Sequence, residues 1–304
     1  MKILVLGSEG FIGKHLVQLF QKKKYHVAGC DLFERPTHNY QYFKVSRLSP
    51  EWEEIFSSGS YNVCVNAAGS GNVPYSMSHP LVDFESNGLD VIRILDAIRR
   101  FCGSCLYVQL SSAAVYGNPK QLPVTENASL SPLSPYGWHK WISELICQEY
   151  FYTYGIPSFI VRPFSVYGPG LRKQLFWDLF NRANGKKEVE LFGTGNESRD
   201  FIFISDLVNA IDLLIETGIR EANVYNLASG SETSIRTAAT VFLDQFSNPP
   251  TLSFNGQVKS GDPLNWKADI SKIKSLGFQL GTSLEEGLQV THQWISEQNF
   301  NHDR

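Results

Sequence analysis

A chain of 304 residues is about twice the usual domain of ~150 residues, so one large domain or two closely joined ones fit, with a sizeable core within reach. Its 42% hydrophobic and 13% aromatic content excludes a disordered or low-complexity chain. Twenty-seven basic against 30 acidic side chains leave a formal charge of −3, which argues against a general nucleic-acid binder and against an anionic membrane surface as partner.

The chain opens on a short apolar run. MKILVLG begins a buried strand at once, with no basic region followed by an apolar one, and no stretch approaches the ~18 uninterrupted apolar residues of a membrane span. The basic run Lys22-Lys23-Lys24 reads as the solvated end of a first helix. Five cysteines (Cys30, Cys64, Cys102, Cys105 and Cys147) cannot all pair internally, and their sparseness suits a reducing compartment, so the expected location is the cytoplasm. Cys102-Gly-Ser-Cys105 has the form of a redox pair, but it falls where a helix ends and a strand starts rather than at a helix N-terminus, and it reads as incidental.

Apolar runs then alternate with helical patterns. Ile3-Leu4-Val5-Leu6 predicts a strand, Phe11 to Gln21 a helix, His26 to Cys30 a second strand and Tyr42 to Val45 a third. A short helical piece near Trp52 to Phe56 leads to Val63-Cys64-Val65. A longer helix is predicted from Pro80 to Phe101, with Leu81, Phe84, Leu89, Ile92, Leu95 and Ile98 at helical spacing. Leu106 to Leu110, a helix over Pro135 to Tyr152, and Ser158 to Val161 complete the first half. Such alternation is the signature of a parallel sheet covered on both faces. From about residue 168 the pattern loosens into Gly-Pro-Gly turns, a helix near Gln174 to Asn184 and a strand near Val189 to Phe192. The fold class expected is therefore α/β: a doubly wound parallel sheet over residues 1–167 that binds a dinucleotide, and a smaller substrate-binding lobe over 168–304, the chain crossing between them.

Gly7-Ser8-Glu9-Gly10-Phe11-Ile12-Gly13 follows the first strand and opens the first helix. A turn without side chains lets the backbone approach a pyrophosphate, and the helix N-terminus supplies unpaired N–H groups and the positive end of its dipole. The spacing G-x-x-G-x-x-G differs from G-x-G-x-x-G, and glycines serving only turning and packing would read the same way. Asp31 ends the second strand, eighteen residues after Gly13, where a carboxylate can accept from an adenosine ribose and would repel a 2′-phosphate. NAD is favoured over NADP, with Arg35 nearby able to soften the preference. Tyr136 and Lys140, four apart, project from one helix face, and a cation beside a phenol lowers its pKa toward that of a useful base. Ser111 and Ser112 close the fifth strand and can reach the same reacting oxygen.

These motifs occur in order with Asn66-Ala67-Ala68-Gly69, Ser111 to Gly117, Arg162 to Gly170, Gly193-Thr194-Gly195, Ser198 to Ile202 and Lys259 to Pro263. The series resembles the extended short-chain dehydrogenase/reductase family, in its NAD-dependent sugar-nucleotide epimerase and dehydratase branch. The resemblance implies a Rossmann-like fold whose C-terminal lobe closes over a nucleoside-diphosphate sugar. It places NAD against Gly7, Gly10, Phe11, Ile12, Gly13, Asp31, Leu32, Ala67, Ala68, Gly69, Asn87, Ser111, Tyr136, Lys140 and Pro163. Tyr136 would be the acid/base, Ser112 its hydrogen-bond partner, and Lys140 a pKa modifier and ligand of the nicotinamide ribose. Ser112, Tyr136, Ser165, Arg199 and Lys259 would meet the substrate, Arg199 neutralising the diphosphate unless it serves a structural ion pair with Asp200 or Asp206. No metal is implied.

Departures narrow the reaction. Dehydratases of this branch place Thr-Asp-Glu where this chain has Ser112-Ala113-Ala114, and alanines can neither protonate a leaving hydroxyl nor remove a C–H proton. Ser165 stands where the branch has Asn, Lys259 where it often has Arg, and Val45-Ser46 lacks the acidic residue that often meets the adenine region. A 4-epimerase working through a transient 4-keto sugar is the favoured reading. A 4-keto-6-deoxy sugar-nucleotide reductase using NAD(P)H would need the same Ser, Tyr and Lys, and a non-catalytic NAD-binding regulator is the third reading. The helices over Pro80–Phe101 and Pro135–Tyr152 are expected to pair across a two-fold axis into a homodimer, with Trp138 and Trp141 either at that interface or packed within the monomer.

Overall fold

The computed structural model describes residues 1–37, 39–47, 50–257 and 263–300, with side chains described up to residue 298. Its first half runs β1 (Lys2–Leu6), α1 (Phe11–Lys22), β2 (His26–Asp31), β3 (Gln41–Lys44), α2 (Trp52–Ser58), β4 (Val63–Asn66), α3 (Val73–Ser78), α4 (Pro80–Phe84), α5 (Asp90–Phe101), β5 (Leu106–Leu110), α6 (Pro135–Tyr154) and β6 (Ser158–Pro163). The second half adds β7 (Ser165–Tyr167), α7 (Gln174–Ala183), β8 (Glu188–Leu191), β9 (Ser198–Arg199), β10 (Phe201–Phe203), α8 (Ile204–Thr217), β11 (Glu221–Leu227), β12 (Thr233–Ser234), α9 (Ile235–Leu243), β13 (Thr251–Phe254), α10 (Ser271–Lys274) and α11 (Leu284–Phe300).

Seven strands form one parallel sheet in the order β11-β6-β5-β4-β1-β2-β3. Alternate side chains of β1 face opposite layers, as the period of a strand requires. Ile3 and Val5 pack with Leu16, Val17 and Phe20 of α1 and with α8, whereas Leu4 and Leu6 pack with α2, α5 and α6. Helices on both faces explain why β4 and β5 are buried along their whole length. The order reverses at β1, flanked by β2 on one side and β4 on the other. That reversal opens a crevice beyond the C-terminal ends of the strands, where such sheets bind ligands.

Two features depart from the expected elements. The helix expected over Pro80–Phe101 is two α-helices joined by a π-helical turn at Glu85–Leu89, which buries Asn87 and Gly88. The seventh strand, β11, comes from beyond residue 168, where the sequence pattern showed no clear strand. Its run Glu-Ala-Asn-Val-Tyr-Asn-Leu includes a fully buried Asn226, whose amide donates to the Val124 and Asp269 carbonyls and accepts from Tyr116 Oη at 2.7 Å. A polar residue with such remote partners disguises a core strand. α8 also crosses back, and Lys23, the C-cap of α1, pairs with its Asp212 and Glu216. The remaining short strands pair in twos and, with α7, α9 and α11, surround a separate aromatic core that includes Tyr167, Phe176, Phe180 and Phe242. All five cysteines are free thiols, four of them buried. Among the described residues, no helix is long and apolar enough to cross a membrane.

Candidate active site

A cavity of about 870 Å³ lies over the C-terminal ends of β1, β4, β5 and β6 and extends to Phe176, Arg199, Phe201 and Trp266. On its dinucleotide side, Gly7 takes φ +71, and a Cβ there would meet the Ala67 carbonyl and the Ala68 backbone at 2.8 Å. At Gly13 a Cβ would come within 2.0 Å of the Gly7 carbonyl oxygen, so only glycine lets α1 start this close to the turn. Gly10 is the N-cap of α1 with no side-chain cap. The first N–H groups of a twelve-residue helix therefore face the cavity beside Gly10, Phe11 and Ile12, which line it, as do Ala67, Ala68 and Gly69.

Asp31 sits at the end of β2 beside this turn. Its Oδ2 accepts from Glu9 N at 2.9 Å and its Oδ1 from Leu32 N at 2.7 Å, which fixes the carboxylate while leaving lone pairs for ribose hydroxyls. Asn87, on the π turn, donates through Nδ2 to the Ser70 carbonyl and to Asp83 Oδ1, both at 3.1 Å. Both partners are acceptors, so the amide orientation is settled by the network. Its Oδ1, buried and without a partner, is turned to Gly69. An uncapped helix start, a cradle that a Cβ would fill and an orphaned acceptor together fit a dinucleotide.

The reactive side follows from the caps of α6. Ser134 is the N-cap, its hydroxyl accepting from Gly137 N at 3.2 Å, and Pro135 occupies the first turn. This start puts Tyr136 in the first turn and Lys140 one turn later. A Cβ on Gly137 would lie 2.8 Å from the Ala114 carbonyl oxygen, so glycine brings α6 against the 3₁₀ turn Ala113–Tyr116 that follows Ser112. Ser111, Ser112, Tyr136, Lys140, Pro163, Ser165 and Arg199 all line the cavity. Ser111 donates to Glu144, itself bound to Arg162, which leaves Ser112 as the hydroxyl beside Tyr136.

The electrostatics correct one expectation. Lys140 Nζ lies 5.9 Å from the centre of the Tyr136 ring and donates to the Leu110 carbonyl at 3.0 Å. Burial pulls Lys140 down to about 8, against the pull of the Asp83 and Glu144 carboxylates. Burial likewise raises Tyr136, with the Ser112 hydroxyl opposing and Asp83 reinforcing. In the chain alone the phenol is thus harder to ionise than an ordinary tyrosine, because desolvation outweighs the Ser112 hydrogen bond.

On the substrate side, Arg199 of β9 donates to the Ser198 and Leu264 carbonyls at 2.8 and 3.3 Å and lies over the Trp266 ring at 5.6 Å. Asp200 instead accepts from the backbone of Ser229, Gly230 and Ala268, and Asp206 from Gly281 and Thr282. Lys259 falls outside the described residues. Three polar residues not anticipated from the sequence belong here: Asp83, His139 and Glu144. Each pairs with a residue 18 to 56 positions away, a relation no local spacing signals.

A glycine turn at the switch point of a parallel sheet, with Ser112 just past the end of β5 and Tyr136 and Lys140 on the adjoining helix α6, defines an NAD-dependent enzyme of the short-chain dehydrogenase/reductase type. Residues 3–228 match the model of the NAD dependent epimerase/dehydratase family, and the chain belongs to that family. It is 34% identical to an uncharacterized UDP-glucose epimerase, YtcB, of Bacillus subtilis (strain 168), over 97% of this chain and 98% of that one. A UDP-glucuronate 4-epimerase of Thermodesulfobacterium geofontis (strain OPF15) is 26% identical over 97% and 96%. Among solved structures, UDP-glucuronic acid 4-epimerase from Bacillus cereus, in complex with UDP-glucuronic acid and NAD, superposes with a TM-score of 0.89 at 28% identity, over 98% of this chain and all of that one. Family and site together make this chain an NAD-dependent sugar-nucleotide epimerase.

Proposed function

We propose that the chain interconverts UDP-hexoses differing at C4, and that Ser112, Tyr136 and Lys140 carry the chemistry. The observation that carries this reading is their convergence on the dinucleotide cavity, with alanine at 113 and 114, where elimination of water would need an acid and a base. NAD, when bound, supplies a hydride acceptor that returns the same hydride. Tyr136 takes the proton of the C4 hydroxyl as the ring carbon is oxidised and gives it back to the keto oxygen after the sugar turns over. Ser112 hydrogen-bonds that oxygen through both stages. Lys140, held by the Leu110 carbonyl beneath the phenol, anchors the nicotinamide ribose and keeps positive charge near the phenolate. Arg199 pairs with the diphosphate, and Ser165, on β7 beside Phe201, meets the sugar end.

In this reading residues 1–167 form the dinucleotide lobe and 168–304 the substrate lobe, from whose sequence α8 and β11 return to the dinucleotide lobe. A homodimer forms through the exposed apolar side chains of α5 and α6, Ile92, Trp138, Leu145 and Tyr152. Trp141 packs against the core instead. The free buried thiols suit the cytoplasm.

The test is incubation of purified protein with UDP-glucose, UDP-galactose and the corresponding uronates. Interconversion of one C4 pair with no net change in NADH supports the reading, and stoichiometric consumption of NADH with a 4-keto sugar would replace it with the reductase. Light scattering at varied concentration checks the dimer.

A further inference from the structure

Asp83 is completely buried, and both of its carboxylate oxygens are engaged. Oδ2 meets His139 Nδ1 at 2.6 Å and Oδ1 accepts from Asn87 Nδ2 at 3.1 Å. His139 stands between Tyr136 and Lys140 in the first two turns of α6, its ring edge-on to Phe84 at 5.3 Å. Asn87 sits on the π turn, an element common at functional sites because its extra residue aims a side chain that a regular helix would misplace. A continuous chain of contacts therefore runs from the catalytic helix, through His139 and Asp83, to the one amide whose carbonyl oxygen is left open beside Gly69 in the dinucleotide wall.

We propose that Asp83, clamped by His139, is a positioning residue for this enzyme: it helps lock the Asn87 amide with Oδ1 toward NAD and sets its carboxylate behind Tyr136 and Lys140. The lock follows from donor and acceptor chemistry. A carboxylate can only accept, so Nδ2 must face Asp83, and Oδ1 must then face the cofactor. The Ser70 carbonyl, also an acceptor at 3.1 Å, favours the same orientation, and without Asp83 it alone opposes the amide turning over to present a donor. The charge follows from placement. The other charged or titratable groups around the Tyr136–Lys140 pair are Glu144 and Cys147 of the same helix, and His139, which faces Asp83. Glu144 is already paired with Arg162 across to β6, with Nη2 to Oε2 at 2.6 Å. Asp83, on α4, is the carboxylate that acts on both members of the catalytic pair, raising each.

The inference rests on the roles proposed above for Tyr136 and Lys140, and its first readout needs no turnover. In cofactor-stripped protein titrated with NAD by calorimetry, Asp83→Ala is expected to weaken binding by about tenfold, the cost of a misplaced hydrogen bond. Asn87→Ala should cost the same, and the double variant no more than either, since both act through one contact. Losses that multiply in the double variant, or an Asp83→Ala protein that binds as wild type, overturn the lock. Asp83→Asn keeps both hydrogen bonds and folding while deleting the charge, so NAD affinity should hold within about threefold while the pH profile of kcat moves to lower pH by on the order of one unit. An unshifted profile overturns the electrostatic role. Should Asp83→Ala fail to fold, Asn87→Ala still tests the contact with NAD, a variant that binds as wild type overturning the lock, and Asp83→Asn still decides the electrostatic role. A wild type that binds NAD but epimerises no UDP-hexose would indict the proposed substrate rather than this pair.

Discussion

Glu144 of α6 and Arg162 of β6 form a buried ion pair directly behind the reactive serines. Oε2 lies 2.6 Å from Nη2 and Oε1 lies 2.9 Å from Nε, so the contact is bidentate, and each side chain is under 5% exposed. The pair is also saturated. Ser111 donates to Glu144, and Arg162 Nη1 donates to Tyr116 Oη and the Glu126 carbonyl at 2.8 and 3.0 Å. It ties the catalytic helix to the strand that leads into the substrate lobe.

Breaking such a pair on one side strands a charge out of water. Glu144→Gln is expected to cost about 3–5 kcal/mol of stability, whereas replacing both partners by apolar residues should cost much less. Urea unfolding of the single and double variants checks this. A double variant as unstable as the sum of the singles would show that the two side chains matter separately.

Lys140 gives stability a signed dependence on pH. The buried amine titrates near 8 in the folded chain and near ~10.4 when unfolded. Below pH 8 both states hold the proton, and the buried charge weighs on the fold. Between about 8 and 10 the unfolded chain binds a proton that the folded chain has released, so this group makes stability rise with pH. Lys140→Met removes the charge at similar length. Without cofactor the variant should be more stable than wild type at pH 7 by about 1–4 kcal/mol, with the difference narrowing by pH 9.5. Thermal melts across that range test it, and a difference constant with pH would exclude titration of Lys140 there.

The legible parts of the site are those encoded by short spacing. Gly7, Gly10 and Gly13, Asp31 at a strand end, and Tyr136 four residues before Lys140 each need only one turn or one strand to acquire meaning; Gly10, Tyr136 and Lys140 line one cavity, and Gly7, Gly13 and Asp31 lie in and beside the turn that carries Gly10. The sheet of the first half was legible for the same reason, as β1, β4 and β5 at its centre are runs dominated by apolar residues. β11 and the Asp83–His139 pair were not. Asn226 is satisfied by residues some hundred positions away in Tyr116 and Val124, and Asp83 meets His139 fifty-six positions on. A polar residue becomes core or site only through such partners, which periodicity does not register. The direction of the Tyr136 shift escaped for a related reason. Spacing shows that a lysine is near, while the depth of burial that raises the phenol belongs to the packed structure.

Cofactor choice turns on the end of β2. Asp31→Ala removes the carboxylate held by Glu9 N and Leu32 N, and the preference for NAD over NADP is expected to fall by at least about tenfold, or ~1.4 kcal/mol. It should not invert. The Glu9 carboxylate, bound by Tyr40 Oη at 2.6 Å and by Thr37, keeps a second negative charge beside the turn. Binding constants for the two cofactors measure the ratio, and an unchanged preference would remove Asp31 from the ribose site.

Tyr136 and Arg199 should fail in different ways. The Tyr136 hydroxyl is needed only while a proton moves, so Tyr136→Phe is expected to lower kcat by about 10²–10⁴ while substrate and NAD still bind. Arg199 contacts a diphosphate that does not react, and its charge acts equally on ground and transition states. Arg199→Met should therefore raise KM for the UDP-hexose by about 10–100-fold with kcat nearly intact, the signature of lost uniform binding. The stacking of Arg199 on Trp266 leaves Met, an unbranched side chain, able to keep the packing against the ring. Steady-state kinetics on both variants separates the two behaviours. A fall in kcat at Arg199, with KM unmoved, would mean that its charge acts on the reacting sugar rather than on the phosphates.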